Sequence, residues 1–355
     1  MPGIKSKIPT MAQKAPPTDK AIIKNQLEIL SIAEGFFQSG ILFTLLKLKI
    51  FDHIGEGSQT PNELAMILDA RPDTLARLLN AGVMLKLLES DDGARYRLTS
   101  ACRAVLLPSA GENYLGNWIR LQSDFYSAYA NLDEAVLKSK PPVQPAVYLG
   151  ADQDKTRQYI LAMHNYASVR GSELAHYLDT STCKTLLDLG CGAGTYAVHL
   201  AMHNPSLELY LSDLPEVLEI AREIQGKNPL PNKINYLPLD AEKSEIPGSY
   251  DLILASNMLH CIRANHRIKV IKRLYRALNP GGSLVVQAQY LHENRMGGRW
   301  AVLVDLNLLC TTEGGKNHTV GETKAWLEEA GFKDLEYSPM SVYGANSFVR
   351  GYKSA

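Results

Sequence analysis

The sequence predicts an α/β protein in which a mainly helical, winged-helix region precedes a doubly wound, mostly parallel sheet. Before about residue 110, apolar residues recur at helical spacing and two short strand patterns form a hairpin. From Cys183 onward, strand patterns alternate with helical patterns, as is typical of parallel sheets. The strand patterns are TLLDL (185–189), LELYLSD (207–213), INYLPLD (234–240), YDLILASN (250–257) and GSLVVQAQ (282–289).

Composition narrows the class of protein. The chain has 355 residues, with 37 Lys and Arg against 37 Asp and Glu, so no basic excess attracts nucleic acid or an anionic membrane. No stretch approaches about 18 uninterrupted apolar residues, so we expect no membrane span. The odd number of cysteines without a CxxC pair, and a start without an apolar signal segment, predict free thiols in the cytoplasm: Cys102, Cys183, Cys191, Cys261 and Cys310.

The patterns divide the chain into four parts. Residues 1–20 are rich in lysine and proline and predict a disordered tail. Residues 21–110 carry the helices and hairpin of an N-terminal winged-helix domain. Residues 111–180 predict a helical connector, and residues 181–355 the sheet domain.

The winged-helix pattern has clear local signals. Thr60-Pro61, with Glu63 three residues after the threonine, is typical of a helix start, and Asp92-Gly93 marks the turn between the two wing strands. A winged helix also allows a DNA-binding regulator. The helix that would enter the groove carries only Arg77 and Lys86 among apolar residues, which favours a buried or dimer-forming role instead.

The glycine loop after the first sheet strand is the most informative motif. Gly190, Gly192 and Gly194 alternate along it and follow Asp188 by two residues. Glycines allow a tight turn and a close approach of a ligand to the main chain. A nicotinamide dinucleotide fingerprint, as in an oxidoreductase, would need glycine where Thr195 stands, and its pyrophosphate would meet an acid. The pattern favours a ligand with a cationic amine.

Two further acids end the next two strands. Asp213 ends the second strand, where a carboxylate can accept both hydroxyls of a ribose. Asp240 ends the third strand, in position to meet an adenine edge. Because the carboxyl ends of parallel strands share one edge of a sheet, the acids and the glycine loop predict one ligand site there.

These segments resemble the class I S-adenosylmethionine-dependent methyltransferases, in the small-molecule O-methyltransferase group with an N-terminal dimerisation domain. This group includes plant caffeate-type and bacterial natural-product enzymes. The resemblance covers about residues 25 to 352 and implies a Rossmann-like methyltransferase fold. The matching segments, in the family's order, are LLDLGCGAGTYAVHLA, LSDLPEVLEIA, YLPLDAE, YDLILASNMLHCI, RALNPGGSLVVQ, DLNLLCTTEGGK and TVGETKAWLEEAGF.

The resemblance implies roles at one end of the cofactor S-adenosyl-L-methionine. Asp188 and the glycine loop hold its methionine part. Asp213 holds the ribose, and Leu214 lies against the adenine.

The resemblance also implies roles for three further residues and for the N-terminal helices. Asp240 and Ala241 lie near the adenine amine, and Ser256 faces the cofactor after the fourth strand. The N-terminal helices form an intertwined homodimer and help to close each active site.

His260, in SNMLHCI, matches the family's catalytic histidine, which implies methylation of a hydroxyl with His260 as general base. Plant members usually continue this motif with Asp-Trp, where Cys261-Ile262 stands here, and hold the histidine with two glutamates. Ala288 and Asn317 occupy those positions. Without a carboxylate, an imidazole loses the partner that fixes its tautomer and raises its basicity.

This departure leaves alternatives open. Another side chain could replace the carboxylate, and the candidates are Gln287, Gln289 and Glu293. The acceptor could instead be a carbon nucleophile, such as the enol of a 2-oxo acid or an electron-rich ring, with His260 orienting it. His260, Cys261 and His318 could converge on a metal, but no ligand spacing enforces this, so we predict none.

We expect the acceptor pocket between the mid-chain helices and the sheet. Met163 and Asn307 match substrate-side positions of the family, and the other candidates are aromatic. Such a pocket suits a flat, phenol-like small molecule. The candidate residues are Phe125, Tyr126, Met163, Tyr166, Trp300 and Asn307.

Overall fold

The structure is a computed structural model that describes residues 20–142, 144, 148, 150–340 and 347–355. The tail predicted for residues 1–20 lies outside the described residues except for Lys20, which begins the first helix. All five cysteines are free thiols.

The N-terminal region is helical with a small antiparallel hairpin. Its elements, in chain order, are α1 (Lys20–Ala33), α2 (Gly35–Lys47), α3 (Ile50–Ile54), α4 (Pro61–Leu68), α5 (Pro72–Met84), β1 (Leu88–Glu89), β2 (Arg97–Leu98) and α6 (Ser100–Leu106). A 3₁₀ segment, Pro108–Asn113, leads to three longer elements, which are α7 (Gly116–Tyr129), α8 (Leu132–Lys138) and α9 (Gln153–Tyr177).

The C-terminal region alternates strands and helices before it ends in an antiparallel pair of strands. Its elements are β3 (Thr185–Leu189), α10 (Thr195–His203), β4 (Glu208–Asp213), α11 (Pro215–Lys227), β5 (Ile234–Pro238), β6 (Tyr250–Ser256), α12 (Ala264–Arg276), β7 (Leu278–Ala288), α13 (Arg299–Thr311), α14 (Val320–Ala330), β8 (Lys333–Pro339) and β9 (Ser347–Tyr352).

The sheet order places the glycine loop at the centre. The strand order is β5-β4-β3-β6-β7-β9-β8, with β3 to β7 parallel and β9 antiparallel to both of its neighbours. The chain leaves β3 toward β4 on one side and later returns to pair β6 on the other. The carboxyl end of β3 is therefore a topological switch point, where open α/β sheets bind ligands. The predicted doubly wound fold class is confirmed.

Apolar residues cover both faces of this sheet. In β3, Leu186 packs into one core with Leu200 of α10, while its neighbour Leu187 packs into the other with Leu274 of α12. Successive side chains of a strand point to opposite faces, so a strand buried on both faces reads as a continuous apolar run. This burial leaves the strand ends as the part of the sheet open to a ligand.

The predicted winged helix forms with its predicted helix start. Thr60 and Glu63 make a reciprocal capping box at the start of α4, which satisfies two backbone N–H groups. In α5, Leu75 and Leu79 are buried in a third apolar core together with the wing residue Leu98. In a DNA-binding protein, α5 would be the helix that enters the groove. Here its apolar face packs into the core of its own domain.

An exposed apolar surface runs along α1 and the start of α2. Ile29, Ile32 and Phe37 are 68%, 77% and 56% exposed. The segment Lys20–Lys47 is long and apolar enough to cross a membrane by length and composition, and only 11% of its most apolar window is buried. The expectation of no membrane span rests on the lack of an uninterrupted apolar run, and this segment is apolar without being uninterrupted. Such a surface indicates a partner outside this chain.

Gly194 provides a stability test of the loop. Its φ is +77°, and a Cβ there would lie 2.6 Å from Leu211 Cδ1. We expect Gly194→Ala to lower the free energy of unfolding by about 1–3 kcal/mol, because an unfavourable backbone conformation and a clash add together. Chemical denaturation measures this change.

Gly226 is the matched control for that substitution. It lies in α11 with no atom within 4 Å of an added Cβ. Gly226→Ala should raise the free energy of unfolding by about 0.4–1 kcal/mol. Equal effects of the two substitutions would contradict the conformational argument.

Candidate active site

The glycine loop owes its shape to three positive φ angles. Gly190, Gly192 and Gly194 have φ of 69°, 54° and 77°, in the left-handed region that side chains disfavour. A Cβ on Gly190 would lie 2.9 Å from Met258 Cγ, so this glycine also permits close packing. A Cβ on Gly192 would meet only Ile160, at 4.0 Å. The backbone of Gly192 therefore borders open space, as a ligand cradle requires.

Asp213 fastens the loop to the neighbouring strand. Its Oδ2 accepts a hydrogen bond from the Gly192 N–H at 2.9 Å, and its Oδ1 accepts one from the Leu214 N–H at 2.8 Å. The Gly190 N–H donates to the Ser212 carbonyl at 2.8 Å. The end of β4 thus sets the position of the loop after β3.

Asp188 and Asp213 form an acidic pair in which Asp188 is buried and Asp213 is partly buried. Asp188 is 1% exposed, and its Oδ2 has no hydrogen-bond partner among the described residues. Burial raises the pKa of Asp188 to about 7, and the charge of Asp213 adds to the rise. Burial also raises the pKa of Asp213 to about 6, against the lowering effect of its two N–H donors. Both shifts favour a cationic ligand between these carboxyl groups and the loop.

The residues predicted to lie near the adenine follow β4 and β5 in the chain. Asp240 binds Lys243 Nζ at 2.7 Å and accepts the Glu242 N–H at 2.9 Å. Leu214 packs with Val217, and Ala241 is partly buried against the core on one sheet face. These residues follow the carboxyl ends of successive strands, at the same edge as the glycine loop.

Side chains with amide and hydroxyl groups lie at the carboxyl ends of β6 and β7. Ser256 Oγ donates to Gln287 Oε1 at 2.7 Å, and Gln289 Nε2 donates to the Tyr166 hydroxyl at 2.6 Å. Asn257 has a φ of 51°, which is uncommon outside glycine, and its Oδ1 is buried with no hydrogen-bond partner among the residues that the structure describes. Sequence reasoning did not select Asn257, although its place after a strand end was a usable signal.

His164 also escaped the sequence analysis. Its Nδ1 lies 2.8 Å from the Thr195 Oγ1, at the first residue of the helix that follows the glycine loop. Burial lowers the pKa of His164. No local motif connects α9 with α10, so only the tertiary packing reveals this contact.

His260 follows β6 and is 8% exposed. Its Nδ1 is buried without a hydrogen-bond partner among the described residues, and its carbonyl accepts the Lys316 N–H at 3.0 Å. Arg267 holds this turn, because its guanidinium donates to the carbonyls of Leu259 and Ile262 at 3.0 Å each. The turn is therefore fixed from α12 rather than through the imidazole.

Both buried histidines near this turn are poor proton acceptors. Burial, and then the charge of Arg267, lowers the pKa of His260 to about 4. Burial and the neighbouring charges of His260 and Arg267 lower the pKa of His318 well below its usual range. Imidazoles with such pKa values are neutral at pH 7.

The candidate replacements for the missing glutamates have other partners. Gln287 and Gln289 bind Ser256 and Tyr166, and Glu293 Oε1 accepts the Gly321 N–H at 2.9 Å. The Asn317 side chain donates to the Ala301 carbonyl at 2.9 Å, and Ala288 is 1% exposed. Within the described ranges, no group of three or more His, Cys, Asp or Glu side chains could hold a metal ion.

The acceptor-pocket candidates divide into two sets. Phe125 and Met163 share an apolar cluster with Trp118, whose ring centroid lies 4.7 Å from that of Tyr166. Asn307 Oδ1 is buried and lacks a hydrogen-bond partner in the described part of the chain. The other set, Tyr126 and Trp300, is more exposed.

Tyr126 and Trp300 are the more exposed candidates. Tyr126 is 43% exposed and packs edge-on against Phe43 of α2, with ring centroids 6.1 Å apart. Trp300 is 40% exposed at the start of α13. The assignment of both residues to the acceptor pocket stays a prediction. Helical spacing alone does not tell which face of α7 turns toward α2.

Comparisons with known proteins agree with this geometry. Residues 130–333 match the model of the O-methyltransferase domain, and residues 30–108 match that of the O-methyltransferase dimerisation domain. Human N-acetylserotonin methyltransferase, solved in complex with SAM, has a TM-score of 0.84 at 24% identity, covering 96% of this chain and 100% of that one. This likeness shows the fold.

Curated relatives are similar over most of their length. The tetracenomycin polyketide synthesis 8-O-methyl transferase TcmO of Streptomyces glaucescens is 27% identical over 330 residues, which are 92% of this chain and 96% of the relative. The N,N-dimethyltransferase OxyT of Streptomyces rimosus is 26% identical, over 89% of this chain and 93% of the relative. The chain thus belongs to the O-methyltransferase domain family and is an S-adenosylmethionine-dependent methyltransferase.

Proposed function

We propose that this enzyme methylates a hydroxyl group of a small aromatic, natural-product-like molecule. The observation that carries the proposal is the acidic pair of Asp188 and Asp213 beside the glycine loop, at the same sheet edge as His260. The name of the relative TcmO, an 8-O-methyl transferase of polyketide synthesis, supports an aromatic hydroxyl as acceptor.

The methionine end of S-adenosylmethionine fits the glycine loop. Asp188 Oδ2 is buried and, among the described residues, has no hydrogen-bond partner, so it can accept one from a ligand; open space lies beside Gly192. Asp188, Gly190, Gly192 and Gly194 would hold this end, because a raised carboxyl pKa there is relieved by a cationic amine.

The adenosine end fits the next strand ends. Asp213 would accept the ribose hydroxyls, since its oxygens retain acceptor capacity beside the two N–H groups that they bind. Leu214, Asp240 and Ala241 would lie against the adenine, and Ser256 would lie beside the cofactor.

The bound cofactor supplies a methyl group that is already activated on a sulfonium. The chain must align the acceptor with it and exclude water. Phe125, Met163 and Tyr166 supply apolar and aromatic surface for this, and Arg267 fixes the turn that carries His260. The hypothesis that His260 is the general base stays a prediction. The lowered pKa of the His260 imidazole weighs against this hypothesis.

A second candidate is methyl transfer to carbon, as on an enol or an electron-rich ring. The absence of a hydrogen-bonded carboxylate at His260, among the described residues, favours it, because carbon nucleophiles of this kind need less help from a base. The relative OxyT, an N,N-dimethyltransferase, extends the comparison to nitrogen. Fragmentation mass spectrometry of the product locates the added methyl group and separates the three outcomes.

We also propose a cytoplasmic homodimer. The exposed apolar residues Ile29, Ile32 and Phe37 lie at or near the part of the chain that matches the dimerisation domain, residues 30–108. A second copy would remove this surface from water. The free cysteines are compatible with the reducing cytoplasm.

Substitution of Asp213 tests the cofactor site. Asp213→Ala removes the charge and the anchor of Gly192, so we expect S-adenosylmethionine binding to weaken at least about tenfold by calorimetric titration. Glu208→Gln, at the opposite end of the same strand, is the matched control and should bind normally. Unchanged affinity in Asp213→Ala, with its melting temperature preserved, would contradict the assignment.

Proton release provides a second test. Carboxyl groups with pKa values raised to about 7 and about 6 are partly protonated at pH 6.5, and a cationic ligand lowers these values. Binding at pH 6.5 should therefore release protons and be more exothermic in Tris than in phosphate, which differ in ionisation enthalpy. The difference between the two buffers should be smaller in Asp188→Asn. No buffer dependence at pH 6.5 would contradict the buried-acid account.

The dimer is testable by sedimentation. Phe37→Asp places a charge on the exposed apolar surface and should shift the protein toward monomer at micromolar concentration. Met202→Asp, at a residue 57% exposed on α10, is the control and should leave the dimer intact. A wild-type monomer that floats with lipid vesicles would instead assign this surface to a membrane.

A further inference from the structure

The surroundings of His260 are positively charged. Arg267 is 6% exposed, donates to carbonyls on both sides of His260, and lies over the Trp326 ring at 4.6 Å from its centroid. Burial lowers the pKa of His260, and the charge of Arg267 lowers it further. A buried guanidinium keeps its charge because its unperturbed pKa is so high.

Within the described ranges, the other elements around this turn add no carboxylate partner for His260. His318 is buried next to His260, and the charge of Arg295 reaches His318. The acid that reaches Arg267 is Glu322, whose oxygens already bind Arg295 and the Thr319 N–H. Cys261 is adjacent in sequence and is an exposed, free thiol.

This arrangement opposes proton uptake and favours an anion. A positive neighbour in a buried site raises the free energy of an imidazolium and lowers that of an oxyanion. At the cofactor end, Asp188 and Asp213 have the opposite preference. The site is thus polarised for a cationic methyl donor at one end and an anionic acceptor at the other.

Neutral polar groups complete the acceptor side. Buried amide oxygens of Asn257, Asn307 and Asn317 and the Gln287 Nε2 have no hydrogen-bond partner among the described residues. The three amide oxygens accept hydrogen bonds and Gln287 Nε2 donates one, so an acceptor molecule with a single hydroxyl would leave most of these groups unsatisfied, at a cost in free energy. An acceptor molecule with further hydroxyl groups would donate to the amide oxygens.

We propose that the acceptor is an oxygen-rich phenol or hydroxyquinone whose hydroxyl ionises through its own acidity, and that His260 is a positioning residue for the resulting anion. This inference rests on the proposed function. An oxyanion lone pair forms the new O–CH3 bond, the S–CH3 bonding pair stays on sulfur, and the proton has already passed to solvent.

A matched pair of bicyclic acceptors tests the inference. 2-Hydroxy-1,4-naphthoquinone is far more acidic than 2-naphthol, yet has a similar shape. We expect kcat/KM for each to follow the ionisation of that acceptor, so the inflection of the pH profile moves when the acceptor is changed. If His260 were the base, the inflection would belong to the enzyme and stay at one pH for both acceptors.

Substitution of His260 gives an independent readout. His260→Gln keeps a hydrogen-bond donor, and we expect it to lower kcat/KM at most about tenfold, whereas loss of a general base costs about 10²–10⁴-fold. The position of the inflection should not change in this variant. A loss within the larger range would overturn the positioning role.

Absorbance measures the acceptor without turnover. Bound to the wild-type enzyme with S-adenosylhomocysteine, 2-hydroxy-1,4-naphthoquinone should keep its anion spectrum to lower pH than in free solution. Arg267→Lys should retain this shift, and Arg267→Met should lose it. A bound spectrum that protonates at the same or a higher pH than the free molecule would overturn the inference.

The outcomes separate this inference from the proposed function. If both products are O-methylated but the inflection of the pH profile stays at one pH, the proposal of a self-ionising acceptor is contradicted. The proposal of hydroxyl methylation then still stands. Products methylated on carbon or nitrogen, or no product from either acceptor by an enzyme that binds S-adenosylmethionine, contradict both.

Discussion

The structure depends most on the contact between Asp213 and the glycine loop. One carboxylate binds the Gly192 N–H and thereby joins the ends of two neighbouring parallel strands. The glycines accept the positive φ angles that this contact requires, and Asp188 is buried behind them. Full burial of Asp188 and partial burial of Asp213 destabilise their anionic forms, so the folded chain favours a cationic ligand beside them.

The acceptor side of the same edge has the reverse electrostatics. Arg267 fixes the His260 turn through backbone carbonyls and places a positive charge near an imidazole whose Nδ1 has no partner in the described part of the chain. A positioned, neutral histidine can donate a hydrogen bond but gains little by accepting a proton. In the proposed reaction, the two ends match the charges of a sulfonium donor and an oxyanion acceptor, so alignment and electrostatics would supply the catalysis.

The sequence predicted what local chemistry determines. The strand TLLDL matches β3 residue for residue, and Thr60 caps α4 as its spacing indicated, because burial on both faces and a capping box leave direct signatures. The antiparallel pair β8 and β9 was not predicted, since β8 is mostly exposed and lacks an apolar alternation. The orientation of Tyr126 and the engagement of Glu293 with α14 depend on contacts between distant segments, which no local pattern encodes.

The central claim, methyl transfer to an acceptor oxygen between oppositely polarised ends of one site, has a direct test. S-adenosylmethionine labelled with ¹³C at its methyl group would be incubated with the enzyme and 2-hydroxy-1,4-naphthoquinone, and the product examined by NMR. The account predicts a labelled methoxy signal. A labelled methyl group on a ring carbon, or a label that stays on the cofactor, would contradict it.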